Sequence, residues 1–441
     1  MNAFSRRILD ELRDGTVLAP ERLGQIETAL APGLPTARDE NWKYANLRAL
    51  ERARFNPATD IAPEALLAAS AALPAALPGF DRVVFVDGLH AAALGSSPPP
   101  RGVAILPSGT AGAGRTLIEA EVAPPAPSLM PTPTTLGAAD LRFAAINRAL
   151  AREELSVSVG SDETRDIEVI FIATAPSTRH ASHPALSLTV GAGARVAVVE
   201  RHVSASAEPS FSNARISIEA GAGSRVDHIR LQQLAVRAQH VESLELVLHD
   251  GADYRLVAIA TGAAAARSSA VVRHAGRDSR LRWNAVALTG GTQVNDSFVR
   301  VDHAAPGART EQSFRGIAAG RSRVAFNGHM IVHGTAPGAR SDQSMKCLTA
   351  GPEAEADLRP QLEIYTDEVK ASHGATVGKL DDTMRFYLLS RGLEPATADA
   401  LLKWAFIEEV VASVSPAALR AEVERGIAVA LGDSIIGELV A

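Results

Sequence analysis

His373 is the last of the chain's 12 histidines, in the stretch DEVKASHGATVG (Asp367–Gly378). Its neighbours Ala371, Ser372, Gly374, Ala375 and Thr376 are small enough for a backbone or a partner to come close. An imidazole so placed can bind a metal ion, carry a proton or face water. Two further groups of histidines sit close in sequence, His180 with His183 in RHASHP and His329 with His333 in GHMIVH. On a strand, positions i and i+4 share a face but stand about 13 Å apart. That is too far for His329 and His333 to share one ion, and both pairs are expected as surface histidines. Cys347 is the single cysteine, so this chain alone makes no internal disulfide and no multi-cysteine metal cage. Its expected role is that of a small buried residue.

No other familiar chemistry is spelled out. The sequence contains no GxxxxGK[ST], no GxGxxG between a strand and a helix, no HExxH and no GxSxG. GAGARV is glycine-rich but recurs as a turn, so no nucleotide site is expected. The net charge is −6, which argues against a general nucleic-acid or anionic-membrane surface. The N-terminal MNAFSRRILDELRDG mixes charges through its apolar positions and lacks a secretory core. No apolar run reaches the length of a membrane span. A cytoplasmic protein is the expectation.

The elements that must position His373 come from a repeat. Gly191-Ala-Gly-Ala-Arg-Val, Gly221-Ala-Gly-Ser-Arg-Val, Gly251-Ala-Asp-Tyr-Arg-Leu and Gly276-Arg-Asp-Ser-Arg-Leu follow one another, and PGARTEQS at Pro306 is echoed by PGARSDQS at Pro337. The spacing is about 30 residues, a solenoid period. The segments between are short and β-branched, with a second glycine turn near mid-coil at Gly291 and Gly320. Aromatics are only 4% of the chain, so Ala, Val, Leu and Ile must fill the interior. These features predict a mainly β protein with a flattened parallel β-helix core of two facing sheets, its corner glycines supplying positive φ. Residues 156–378 form that core. Residues 1–155 read as a mostly helical domain with a small β element, in which VVFVDG and GVAIL are strands and Pro124–Thr135 is an extended proline-rich linker. Residues 379–441 read as a helical C-terminal domain. There Leu402, Trp404, Phe406 and Ile407 offer more apolar surface than two or three helices cover, so they pack on the solenoid or dock a partner.

A β-helix has two ends with unpaired N–H and C=O groups. The N-terminal region can cover one. DLRPQLEIYTDEVKASHGATVG lies at the other, with Leu362, Ile364 and Val369 expected to pack inward and the backbone free to extend a partner's sheet. The alternative is a β-helix carbohydrate-active enzyme, a polysaccharide lyase or hydrolase, which would need paired carboxylates and aromatic platforms. Trp283 is the only tryptophan of the repeat region, and nothing else supports a sugar cleft.

LEIYTDEVKASHGATVGKLDDTMRFYLLSRGL and, near the N-terminus, RDENWKYANLRAL (Arg38–Leu50) resemble the signature stretches of the SufB/SufD family of iron–sulfur cluster assembly proteins. SHGATVG places the likeness on the SufD side of that family. The resemblance covers nearly the whole chain. It implies a non-enzymatic scaffold that pairs with a SufB-like subunit through the C-terminal end of the β-helix and docks a SufC-like ATPase through the C-terminal helices. It further implies a transient iron–sulfur cluster shared with the partner subunit, and it leaves a flavin open. His373 matches the family's seam histidine, a candidate nascent-cluster ligand. The seam set it implies is Glu363, Asp367, Glu368, Lys370, Ser372 and His373, and the ATPase-docking set is Arg385, Tyr387, Arg391 and Gly392. Where many members carry cysteine two residues before the histidine, this chain has Ala371, so its contribution rests on imidazole, with Asp367 or Glu368 as carboxylate partners. A homodimer through the same edge is admitted when partners are absent; nucleic acid and membrane are not implied.

Overall fold

The computed structural model describes residues 3–15, 20–45, 50, 53–107, 140–174 and 180–432. The run Pro124–Thr135, expected as a linker, lies outside them. From Glu153 to Gly378 the chain winds as a parallel β-solenoid, and successive strands alternate between a 9-stranded and a 10-stranded sheet. Each coil therefore lays one strand on each sheet and pairs with the coil before and after it. The alternation of the sequence decides which side chains go inside. In Phe211–Ala220, Ile216 and Ile218 point inward and stack on Leu244 and Leu246 of the next coil, which stack on Ala270 and Val272. The interior is built from such aliphatic columns, with Phe314 stacked on Phe326 at 4.3 Å between ring centres where the two sheets meet.

The outer faces are also apolar, because helices cover them. Helices Ala3–Gly15, Pro20–Leu30 and Arg142–Leu150 bury Ile8, Ile26, Phe143 and Ile146 against Phe211 and Val241 of the 9-stranded sheet. Helices Pro395–Val411 and Ala417–Leu431 bury Trp404, Ile407, Leu419 and Val423 on Val199, Ile229, Val257 and Val286 of the 10-stranded sheet. So this part of the C-terminal apolar surface packs on the solenoid. Arg201, fully buried, fixes the docking. Its Nε donates to Glu168 at 2.8 Å, and its two terminal nitrogens donate to Glu422 at 2.6 and 3.0 Å. A guanidinium held by two carboxylates in this way loses several kcal/mol if one partner is removed, on the order of 3.

The ENWKY stretch has a structural job. Trp42 is buried; its Nε1 donates to Asp140 at 3.0 Å, and its ring lies beneath the Arg267 guanidinium at 4.4 Å. Asn41 donates to the same aspartate at 3.0 Å. The motif thus ties the N-terminal helices to the outer face of the sheet.

Two expectations need correction. The corner glycines divide their labour. Gly223 carries the positive φ, 65°, whereas Gly221 does not; a Cβ on Gly221 would lie 2.5 Å from the Val190 carbonyl oxygen of the coil below. The first glycine of the turn allows close stacking and the second allows the bend. In the GRDS turn the bend falls on Asp278, at φ 54°. The two histidine pairs expected on the surface are not found there among the described side chains either. His183 and His329 are buried, as are His202, His228, His240, His274 and His303; His333 is half-buried and bonded to Asp302 at 3.0 Å. The helical layers and the polar stretches of the interior take them in. The side chain of His180 lies outside the described residues.

Trp42→Ala is expected to lower unfolding free energy by about 3–5 kcal/mol, the usual cost of emptying a buried tryptophan site, read as a shift in urea midpoint with early proteolysis of the N-terminal helices. Burial pushes His183 and His303 down to about 4. Their unfolded counterparts take protons near 6.5, so the unfolded chain binds more protons between these values and stability rises with pH there. Stability is expected to be full above pH 6.5 and to fall by roughly 2–3 kcal/mol per unit below it from these two groups. Urea titrations at pH 7.5 and 5.5 check this; equal midpoints would contradict it.

Candidate functional site

The two ends of the solenoid differ. At the N-terminal end the outermost strands, Leu89–His90 and Val103–Pro107, are short and run antiparallel to their neighbours. At the other end, among the described residues, Glu355–Ile364 pairs only with Arg323–Val332, and Val369–Gly378 only with Ala339–Ala350. One edge of each sheet is left with free donors and acceptors.

Register sets what that last rung presents. Ala371, His373, Ala375 and Val377 align with Ser341, Gln343, Met345 and Cys347, all of which are buried inside the solenoid. His373 thus holds an interior position with no coil above it, and it is exposed. Ile364 has the same inward parity, aligned with buried Val332, yet it is 43% exposed because nothing covers it. The expectation that it packs inward holds only for Leu362 and Val369, which rest on the cores below them. The rim is accordingly apolar and small, with one imidazole at its centre.

The rest of the expected seam set does not gather around His373. Lys370 and Ser372 have the opposite parity, and Ser372 Oγ donates to Asp342 at 2.5 Å. Glu363 lies on the outer face, bonded to His329 at 2.8 Å and accepting from the Tyr365 hydroxyl at 3.0 Å. Asp367 and Glu368 form the turn between the last two strands, where the Glu368 carbonyl accepts from Gly338 N–H at 2.7 Å. Cys347 stands one rung beneath Val377, buried, and burial pushes its thiol up to about 12. A thiol so held is not a thiolate ligand at neutral pH.

The docking set lies on the first C-terminal helix, Asp382–Ser390, capped by Asp381 accepting from Met384 N–H at 2.8 Å. Arg385 donates to Asp399 at 2.5 Å and so ties this helix to the next. Arg391 lies 4.9 Å from the centre of the Tyr387 ring, and Gly392 ends the helix at φ 88°. Met384, Phe386 and Tyr387 are exposed, Phe386 at 72%. This helix, unlike the two that follow, leaves an apolar face open.

The sequence reading missed the polar residues beneath His373. Its column runs down through Gln343, Gln312 and Trp283. Gln343 Nε2 donates to Gln312 Oε1 at 3.2 Å, while Gln343 Oε1, Gln312 Nε2 and Trp283 Nε1 have no protein partner. Deeper still, Glu200 accepts from His202 at 2.6 Å and His228 at 3.0 Å, and the other nitrogen of His228 meets the Tyr254 hydroxyl at 2.6 Å. Burial alone would raise the Glu200 carboxyl; the bonds from the two imidazoles outweigh it and hold the group well below the carboxylate range. Glu242, bonded to Arg230, is held low in the same way against the same burial. Aligning the 30-residue repeats would have put His373, Gln343, Gln312, Trp283 and His228 in one inward column, with Glu200, His202 and Tyr254 in neighbouring columns of the same sheet.

Residues 171–406 match the family model described as SUF system FeS cluster assembly, SufBD core domain. The chain is 28% identical over 415 residues to the iron-sulfur cluster assembly protein SufD of Escherichia coli, covering 93% of this chain and 92% of that protein. It is 24% identical over 430 residues to a SufBD family protein of Synechocystis, covering 95% and 92%. A shorter match, 25% over 234 residues, is to the chloroplastic protein ABCI7 of Arabidopsis thaliana, covering 52% and 49%.

An open edge exchanges its amide hydrogens faster than a paired one. In hydrogen-exchange mass spectrometry of the isolated chain, peptides from Val369–Gly378 are expected to exchange at least about tenfold faster than those from Ala339–Ala350. Equal protection would mean that the last rung is already covered.

Proposed function

The chain belongs to the SufBD family of the SUF iron–sulfur cluster assembly system, and from that premise we propose that it is a scaffold subunit whose open rung is completed by a SufB-like subunit. The single observation that carries this reading is His373, an inward-parity residue left exposed on an unpaired double edge. Strand addition at such an edge supplies main-chain hydrogen bonds, and the apolar rim of Ile364, Ala375 and Val377 supplies buried area. The nascent cluster is cargo at this seam. One imidazole does not hold a cluster, so the partner furnishes most of the ligands, with His373 as one nitrogen donor. Ala371 offers no thiolate, and Asp367 and Glu368 are the carboxylates of the turn that leads into the strand of His373.

The exposed face of Asp382–Ser390 is the proposed seat of a SufC-like ATPase, with Phe386 and Tyr387 as apolar contacts and Arg385 and Arg391 at its border. The chain supplies no catalytic group in this scheme; the work comes from the docked ATPase. No helix among the described residues is long and apolar enough to cross a membrane, and the cytoplasm is the compartment proposed. Without its partner the same edge favours pairing of two copies.

Co-expression with SufB-like and SufC-like proteins is expected to yield one stable complex; a chain that stays alone would sink the proposal. Within the complex, His373→Ala is expected to keep the assembly and its melting temperature while lowering cluster yield several-fold, measured by iron and sulfide content. Phe386→Asp is expected to weaken the ATPase by at least about tenfold in affinity, the loss of a central apolar contact, without changing the partner seam.

A further inference from the structure

Well away from the open rung, the interior holds a group of ligands that the seam does not use. His202 projects inward from the 10-stranded sheet, and His240 and Glu242, two positions apart on one strand, project inward from the 9-stranded sheet facing it. The ligand atoms of the three residues all lie within 4.8 Å of one another. His240 Nε2 is 3.5 Å from Glu242 Oε2, and His202 Nε2 is 3.9 Å from the same oxygen. The two imidazole centres are 4.8 Å apart. All three residues are buried, His240 at 4% exposed.

Both ring nitrogens of His240 lack a hydrogen-bond partner. A contact of 3.5 Å to Glu242 is too long to serve as one. A buried polar ring left in this state is destabilising unless something completes it. Arg230 engages Glu242 through Oε1, which leaves Oε2, the oxygen nearest both histidines, for another ligand. Beside the group lies a cavity of about 50 Å³, lined by Arg230, Gln232, His240, Glu242 and Trp283 among others, with room for a water molecule.

We propose that His202, His240 and Glu242 form an internal site for a single first-row divalent cation of the zinc or ferrous class. Two imidazoles and one carboxylate are a ligand set for such ions, and the cavity supplies the open coordination position. Bonds of about 2.0–2.2 Å put ligand atoms roughly 3–3.5 Å apart, so the observed spacing closes by side-chain adjustment of about 1 Å or less for the measured pairs. His202 Nε2 now faces Glu200 Oε1 at 2.6 Å. On metal binding through that nitrogen, its proton moves to Nδ1 or is released, and the freed Glu200 oxygen stands ready as a further ligand. The site is independent of the seam. His228, on the strand after His202, is five rungs from His373 in the same column, about 24 Å at 4.8 Å per rung.

The test is titration of the chelator-treated full chain with Co²⁺ alone, followed by its visible ligand-field bands. One equivalent of Co²⁺ with bands of a four- or five-coordinate ion is expected. His240→Phe, which fills the ring's volume without its nitrogens, is expected to weaken binding by more than about 100-fold, beyond what loss of a supporting group costs. His373→Ala, which removes the exposed rival ligand, leaves the bands in place. No bands in the wild-type chain, retention in His240→Phe, or loss in His373→Ala overturns the proposal. Where His240→Phe does not fold, X-ray absorption of the Co²⁺-loaded wild-type chain decides: scattering from two imidazoles supports the site, and its absence removes it.

Discussion

Backbone pairing between rungs is the constraint on which everything else in this molecule rests. Each coil of a parallel solenoid satisfies its N–H and C=O groups on the coils before and after it, so only the ends carry unmet bonds. At the N-terminal end the outermost strands are short and antiparallel to their neighbours. At the C-terminal end no described strand follows the last rung. Because side-chain parity is fixed along the stack, the residue that would be interior in a longer solenoid becomes the centre of an open face. His373 is that residue, and its exposure follows from register alone.

The coverings of the solenoid obey a different logic. Strand pairing gives no side-to-side attachment, so each helical layer needs its own anchor. On one face the anchor is an indole held by a carboxylate and capped by a guanidinium; on the other it is Arg201 gripped by Glu168 and Glu422. Both anchors bury a guanidinium beside carboxylates, Arg267 on Asp296 and Arg201 on Glu168 and Glu422, so losing either partner would leave a buried charge uncompensated. The helix Asp382–Ser390 has a tie to its neighbour through Arg385 and Asp399, but its apolar side chains stay exposed. The division between covered and exposed apolar surface within the C-terminal helices is therefore visible residue by residue.

Much of this could be read from the chain. The recurring glycines and the PGAR[ST][ED]QS duplication gave the coil period and the two-sheet cross-section, because turn chemistry is local. What the glycines do was harder. Gly221 and Gly223 look alike in sequence, and only the coil below, with Val190 at close quarters, separates their roles. The histidines were misjudged because an alternating strand pattern says which residues share a face, not whether that face is covered. His183 is buried by Phe55, 128 positions earlier, whose carbonyl it meets at 2.9 Å. Ile364 failed in the opposite sense, with correct parity and no lid. The inner polar cluster escaped because its members come from two sheets, and no local spacing joins His202 to His240.

The end of the solenoid that carries the antiparallel strands is also the end made first. As the chain leaves the ribosome, the antiparallel strands and the earliest coil are available before any later one, and each finished coil presents a template for the next. Winding in that order ends at Gly378, with a template still on offer. A finished copy therefore carries on its last-made rung the same pairing groups that each earlier rung used to receive its successor.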